Sequence, residues 1–164
     1  MVGTRRPPQS SVHDLLLAVL AWVVVAHSFA AEPHPPAEPA KLHLSVHPQV
    51  TAPGSQVELV VAFEPAAGVK IARYPGVKVR VSARDGLIAE NQLTAGDTKP
   101  PPPDQLDRNY FESLDPLRLK VQLDRRAPLG RHELEGDVTY YSCTDGLCSR
   151  NKVRVKFPVQ VAGS

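Results

Sequence analysis

Apolar and polar residues alternate through most of the chain after residue 40, which is the pattern of half-buried β-strands. Leu42, Leu44 and Val46 alternate with polar residues in the first such run. Similar runs follow at 57–63, 69–72, 77–81, 87–93, 117–123, 134–142 and 153–161. Turn dipeptides such as Pro53-Gly54 and Asp85-Gly86 separate them, and no sustained helical period interrupts them. The pattern predicts an all-β, immunoglobulin-like antiparallel β-sandwich, with a barrel as the alternative.

One long segment, residues 94–115, breaks the β pattern with Gly96 and four consecutive prolines at 100–103. A loop of this length inside a compact domain is uncommon and is often functional. Tyr110 and Phe111 stand near its end. Either one of these rings packs on the core while the other is half exposed, or the pair forms a flap over a reactive group.

The N-terminus has the pattern of a secretory signal peptide. Arg5 and Arg6 precede an apolar run at 15–26, and Ser28-Phe29-Ala30 fits a small-x-small cleavage site. The run is short for a transmembrane helix, so we expect cleavage after Ala30, with an uncleaved anchor as the alternative. Residues 31–40 are proline-rich and predict a linker, which leaves 41–164 as the domain. The mature chain is therefore expected to be exported and to lack a membrane span.

The charge balance argues against nucleic-acid binding. Lys and Arg number 19 and Asp and Glu 17, and removal of residues 1–30 leaves 17 basic and 16 acidic residues with no dense basic cluster. His34, His43 and His47 match no common zinc spacing, so no metal or other cofactor is expected. No Ser/His/Asp set, paired-carboxylate site or phosphate loop stands out.

The chain contains two cysteines, Cys143 and Cys148, on either side of a predicted hairpin turn at Asp145-Gly146. A two-residue turn makes Thr144 and Leu147 the first pair and places the cysteines opposite each other at the next position. Cα atoms at such a pair lie about 4.5 Å apart, which allows a disulfide. Closing so short a ring contributes only about 2 kcal/mol to stability, so a redox role and a structural role both stay open.

The run Tyr140-Tyr141-Ser142-Cys143, separated from Cys148 by four residues in the last hairpin, resembles the N-terminal periplasmic domain of the DsbD family of thiol:disulfide interchange proteins. The resemblance extends over 42–161 in architecture and 107–161 in sequence. It implies a periplasmic immunoglobulin-like domain with a reversible disulfide, in which Cys148 bonds to the partner and Cys143 resolves the mixed disulfide. The residues implied beside this pair are a cap loop of Asn109, Tyr110 and Phe111 together with Tyr140 and Tyr141.

Two features depart from the family pattern. The spacing between the cysteines is one residue shorter, and the chain carries neither a multi-span membrane domain nor a thioredoxin domain, so a thioredoxin-fold partner is expected in trans. Arg150 and Lys152 favour a thiolate while Asp145 opposes it. We expect an electron relay, as a thiol:disulfide oxidoreductase component, although the residues alone do not decide whether the chain is an enzyme. The alternative is a non-catalytic secreted β-sandwich binding module with a structural disulfide.

Overall fold

The computed structural model describes residues 38–145 and 147–163 of the chain. The predicted signal peptide and most of the predicted linker lie outside these residues, and Ala40, the last residue of that linker, begins the first strand. The strands are β1 (Ala40–His47), β2 (Val50–Thr51), β3 (Gln56–Pro65), β4 (Lys70–Ile71), β5 (Val77–Val81), β6 (Asn91–Ala95), β7 (Leu117–Gln122), β8 (Gly130–Thr144) and β9 (Leu147–Val161). A short 3-10 helix, Pro103–Arg108, lies in the long loop before β7.

The strands form two sheets. Sheet A has the order β1-β3-β7, and sheet B has the order β2-β9-β8-β5-β6 with β4 paired to the far end of β8. Every strand pair is antiparallel except the two-residue contact of β2 with β9. The predicted all-β antiparallel sandwich of immunoglobulin-like type, with the cysteine pair on the last hairpin, is confirmed.

The core lies between the two sheets and is built mainly by alternation of buried and exposed residues. Along β5, Val77, Val79 and Val81 are buried while Lys78 and Arg80 are exposed. The same rule holds in β7 and in the second half of β9. The largest fully buried side chains are Tyr140, Phe157, Leu59, Leu87, Leu123 and Leu134. Burial of each large apolar side chain contributes about 1.5–3 kcal/mol, so this layer holds the sheets together.

Two strands differ from the predicted ones. The run at 87–93 was expected to form a strand, but β6 begins only at Asn91, because Leu87 and Ile88 turn inward and are buried. Ile88 bridges to Leu123 and so closes the gap between the two sheets at this end. Strand β2 is too short to produce a visible alternation. Its two residues pair in parallel with the last two residues of β9.

The last hairpin is longer than its apolar pattern suggested. Strands β8 and β9 pair over their full lengths, from Gly130 opposite Val161 to Thr144 opposite Leu147. The additional residues are mostly polar, so they add backbone hydrogen bonds rather than core area. Cys143 therefore directly follows the predicted run on β8, whereas Cys148 lies five residues before the predicted run on β9.

Candidate functional site

The disulfide lies at the end of the β8–β9 hairpin. Thr144 pairs with Leu147 and Cys143 with Cys148, as the two-residue turn predicted, and the two cysteine Cα atoms are 4.0 Å apart. Asp145 supplies the left-handed backbone conformation of the turn, with a φ of 48°. Cys143 is only 3% exposed, whereas Cys148 is exposed. An approaching group would therefore reach the sulfur of Cys148 more readily than that of Cys143.

Tyr140 and Tyr141 lie on opposite faces of sheet B, because neighbouring residues of a strand point to opposite sides. Tyr140 is 1% exposed and packs edge-on against Phe63, with ring centroids 5.3 Å apart and planes at 84°. Tyr141 is half-buried on the outer face, opposite Arg150. Of the two predicted tyrosines, Tyr141 therefore shares the outer face of sheet B with the cysteine pair.

A small polar network lies beside the cysteine pair. Asn151 donates through Nδ2 to the hydroxyl of Ser142 at 2.9 Å and to the carbonyl of Ser149 at 3.0 Å. Ser142 is buried, so this bond satisfies a hydroxyl that would otherwise be costly to bury. This hydrogen bond joins β8 to β9 one residue before Cys143, on the inner face of sheet B, opposite to the face that carries the cysteine pair.

Asn109 anchors the long loop. Its side chain accepts from the backbone N–H of Tyr74 at 2.9 Å and donates to the carbonyl of the same residue at 2.8 Å. Its own carbonyl accepts from the N–H of Arg73 at 2.7 Å. The predicted cap residue Asn109 thus holds the loop against the segment between β4 and β5.

Tyr110 and Phe111 follow this anchor and extend sheet B by one irregular strand. Tyr110 forms a bridge with Ala72, and the Phe111 N–H donates to the carbonyl of Ile71 at 2.9 Å. Phe111 packs against the core, whereas the Tyr110 ring lies 5.2 Å from the ammonium of Lys70. Lys70 is in turn the β4 partner of Cys143. The loop therefore reaches the neighbourhood of the disulfide through Lys70.

A cleft of about 1180 Å³ opens between this loop and the ends of β3 and β4. Its apolar wall consists of half-buried or buried side chains: Phe63, Val69, Ile71, Tyr110, Phe111 and Leu114. Its rim is charged and carries Lys70, Arg73, Arg108, Asp107 and Glu112. The guanidinium of Arg73 lies 5.9 Å from the centre of the Phe111 ring and also pairs with Asp97 at 3.1 Å. Such a cleft suits an apolar group flanked by negative charge.

Of the histidines singled out in the sequence, His34 lies outside the described residues, and His43 and His47 each have a separate partner. His43 lies within 2.6 Å of Glu64 and His47 within 3.2 Å of Ser45, both on the exposed face of sheet A. The hydrogen bond from His43, followed by the charge of Lys41, lowers the pKa of Glu64. Within residues 38–145 and 147–163 no group of three metal-binding side chains occurs. In the same residues no helix has the length and apolar character needed to cross a bilayer.

Sequence reasoning missed one charged surface. The pairing of β5, β8 and β9 brings Lys78, Arg80, Arg150, Lys152 and Arg154 onto the outer face of sheet B, although the sequence shows no dense basic cluster. The regular spacing of basic residues along 150–154 was the available signal. Lys78 and Arg80 had no such signal, since only the long-range pairing of β5 with β8 places them there.

Comparison with known proteins does not assign the chain to a family. No family model matches the sequence, and no curated protein matches it. One similar solved structure is AggA, the major subunit of aggregative adherence fimbriae type I from Escherichia coli, at 8% identity. The match covers 76% of this chain and 97% of AggA with a TM-score of 0.37, which is too low to support a shared function.

The predicted resemblance to the DsbD family is wrong. No family model and no curated protein supports the DsbD assignment. The motif misled because its parts follow from hairpin geometry alone: β-formers before the turn, Asp-Gly in the turn and cysteines at the facing position. The structure shows a β-sandwich with a hairpin disulfide, a bond typical of exported proteins.

Burial of Tyr140 should make the stability of the fold depend on pH in the alkaline range. Burial, and to a smaller extent the charge of Glu38, raises the pKa of Tyr140 above its usual value. A raised folded-state pKa stabilises the fold below the unfolded value of about 10, and this contribution is lost as the pH rises above it. We expect Tyr140→Phe to reduce the alkaline loss of stability, measured by urea unfolding at pH 8 and 11. Tyr141→Phe is the control, and an equal effect in both variants would refute the assignment.

Asn109→Ala should loosen the loop without unfolding the sandwich. The substitution removes both side-chain bonds to Tyr74 and leaves a half-buried N–H and carbonyl without this partner, at a cost of about 1–3 kcal/mol. Amide hydrogen exchange should accelerate at Phe111 while the amides of β8 stay protected. Asp107→Asn, in the exposed part of the same loop, is the control. Unchanged exchange at Phe111 would show that other contacts hold the loop.

Proposed function

We propose that the chain is an exported, non-catalytic β-sandwich domain that binds an extended segment of another molecule in the cleft beside its hairpin disulfide. The cleft is the observation that carries this proposal: its aromatic wall is half-buried, and its rim carries Lys70 and Arg108 besides Arg73, which pairs with Asp97. Ligand sites commonly combine a mainly apolar lining with a few well-placed polar groups. An extended peptide with apolar side chains next to a carboxylate has the matching chemistry.

In this proposal the disulfide is structural. Cys143 is buried and bonded to its direct cross-strand partner, so the bond locks the register at the end of the hairpin. That end lies next to β4, whose Lys70 and Ile71 pair with Cys143 and Ser142 and also line the cleft. Locking the hairpin therefore supports one wall of the proposed binding site.

A second candidate, thiol–disulfide exchange, is favoured by one observation: Cys148 is exposed while Cys143 is not. A thiolate of a thioredoxin-fold partner would attack the sulfur of Cys148, and Cys143 would leave as a thiolate. The partner's second thiolate would then attack the partner sulfur of the mixed disulfide, which leaves the partner oxidised to a disulfide and releases Cys143 and Cys148 as a reduced pair. Lys70, Arg150 and Lys152 lie near the pair and would favour the thiolate. This candidate keeps Cys143 and Cys148 as catalytic residues, Asn109, Tyr110 and Phe111 as their cap, and the periplasm as the compartment.

Tyr110→Ala should weaken peptide binding in the cleft at least about tenfold, because buried tyrosines are frequent binding hot spots. The probe is a short peptide of leucine, proline and glutamate, titrated into isotopically labelled protein and followed by NMR. Shifts are expected at Ile71, Tyr110 and Phe111. Tyr141→Ala, outside the cleft, is the matched control and should change affinity less than about twofold. Shifts scattered over the surface, or none, would refute the cleft as a binding site.

The reduction potential of the Cys143–Cys148 pair separates the two candidates. A structural bond is expected below about −300 mV, whereas exchange proteins lie at roughly −180 to −270 mV. In the structural case, replacing both cysteines by serine should lower the free energy of unfolding by about 2 kcal/mol. Any weakening of peptide binding in this variant should come only from loosening of the hairpin end that supports β4. Equilibration in defined thiol buffers measures the potential, and a value in the exchange range would replace the first candidate by the second.

A further inference from the structure

The outer face of sheet B carries a concentration of positive charge near the disulfide end, which we call the cationic face. It consists of Lys78 and Arg80 on β5 and Arg150, Lys152 and Arg154 on β9, all exposed. The register places Lys78, Thr139 and Lys152 in one row across the sheet, and Arg80, Asp137 and Arg154 in the next. The five cations therefore stand on both sides of the central strand β8.

Only part of this charge is neutralised. Lys152 pairs with Asp137 at 3.1 Å, and Arg80 pairs with Glu90 at 2.6 Å. Among the residues that the structure describes, Lys78, Arg150 and Arg154 form no ion pair. Five cations thus face two carboxylates, an excess of three positive charges in a chain whose net charge is only +2. The opposite outer face, on sheet A, is closer to balance: Lys41, Arg118 and Lys120 stand there with Glu58 and Glu64.

We propose that the cationic face docks an acidic protein surface whose carboxylates stand at alternate positions of a β-strand. Arg150, Lys152 and Arg154 occupy alternate positions of β9, so they repeat at about 6.7 Å, which is also the repeat of alternate side chains on a partner strand. Each cation can then meet one carboxylate without distortion of either backbone. Three of the five cations are arginines, whose planar guanidinium binds carboxylates through two parallel hydrogen bonds.

A protein partner fits this face better than a uniform anionic polymer or bilayer. Asp137 stands in the centre of the face and Glu90 at its margin. Both carboxylates would repel a surface that is negatively charged throughout. Tyr141 and Thr139, half-buried on β8, add an uncharged part to the face, with Arg150 opposite Tyr141 and Lys152 opposite Thr139. Tyrosine and arginine are enriched at protein–protein interfaces. This surface lies outside the cleft and does not depend on the peptide site proposed above.

The test uses the full domain and a ten-residue peptide of alternating glutamate and threonine. Binding is measured by fluorescence anisotropy of the labelled peptide at low salt, where screening is weak. The double variant Arg150→Glu and Arg154→Glu should weaken binding at least about tenfold, because it turns two attractions into repulsions. The matched control, Lys41→Glu and Lys120→Glu on sheet A, changes the net charge equally and should weaken binding less than about twofold.

The outcomes are distinguishable. Phosphatidylglycerol vesicles and a heparin oligosaccharide are titrated in parallel, and tighter binding of either would overturn the choice of a protein partner. Equal weakening by the two double variants would show only non-specific attraction, and no binding of the peptide by the native domain would also overturn the proposal. Arg150→Gln with Arg154→Gln repeats the test without new negative charge, and thermal unfolding checks that every variant folds. Tyr110→Ala should leave this binding unchanged, which keeps the cleft and the cationic face separate.

Discussion

The register between β8 and β9 is the constraint on which the rest of the structure depends. The two strands align fifteen residue pairs, from Gly130 and Val161 to Thr144 and Leu147. A slip of one residue would move every side chain of a strand to the other face of the sheet. Tyr140 and Phe157 would leave the core, and the basic residues of β9 would enter it. The core, the facing cysteines and the cationic face therefore all depend on this register, and the disulfide fixes the register at the turn end of the hairpin.

Much of the sandwich could be predicted, because burial of one face imposes a period of two on each strand. Strands β1, β3, β5 and β7 were readable for this reason. Prediction failed where long-range contacts, not local alternation, decide the structure. Leu87 and Ile88 look like strand residues but fill the space between the sheets, and Ile88 does so through Leu123, far along the chain. The added lengths of β8 and β9 are polar and depend on their mutual pairing.

The candidate site, like the sandwich, was predictable where local geometry decides it and not where long-range contacts do. The facing cysteines follow from a local turn, and the structure places them opposite each other. The roles of Asn109, Tyr110 and Phe111 could not follow from the sequence, since Tyr74, Ile71 and Ala72, which hold them, lie over thirty residues earlier. The DsbD resemblance failed because a hairpin motif specifies a local geometry and not a family. The basic residues of β5 joined those of β9 only through tertiary pairing.

The attachment of residues 109–111 to β4 has a consequence for how the long loop can vary. Tyr110 bridges Ala72 and Phe111 packs on the core, so this end of the loop serves as an extra strand of sheet B. The preceding segment at 98–102 is mostly exposed and rich in proline, and no buried side chain occurs in the 3-10 helix that follows it. Exposed segments with few backbone ties tolerate insertions, whereas paired ones do not. Changes in loop length, including a grafted peptide or a fused domain, would therefore be accommodated before residue 103 and rejected after residue 108.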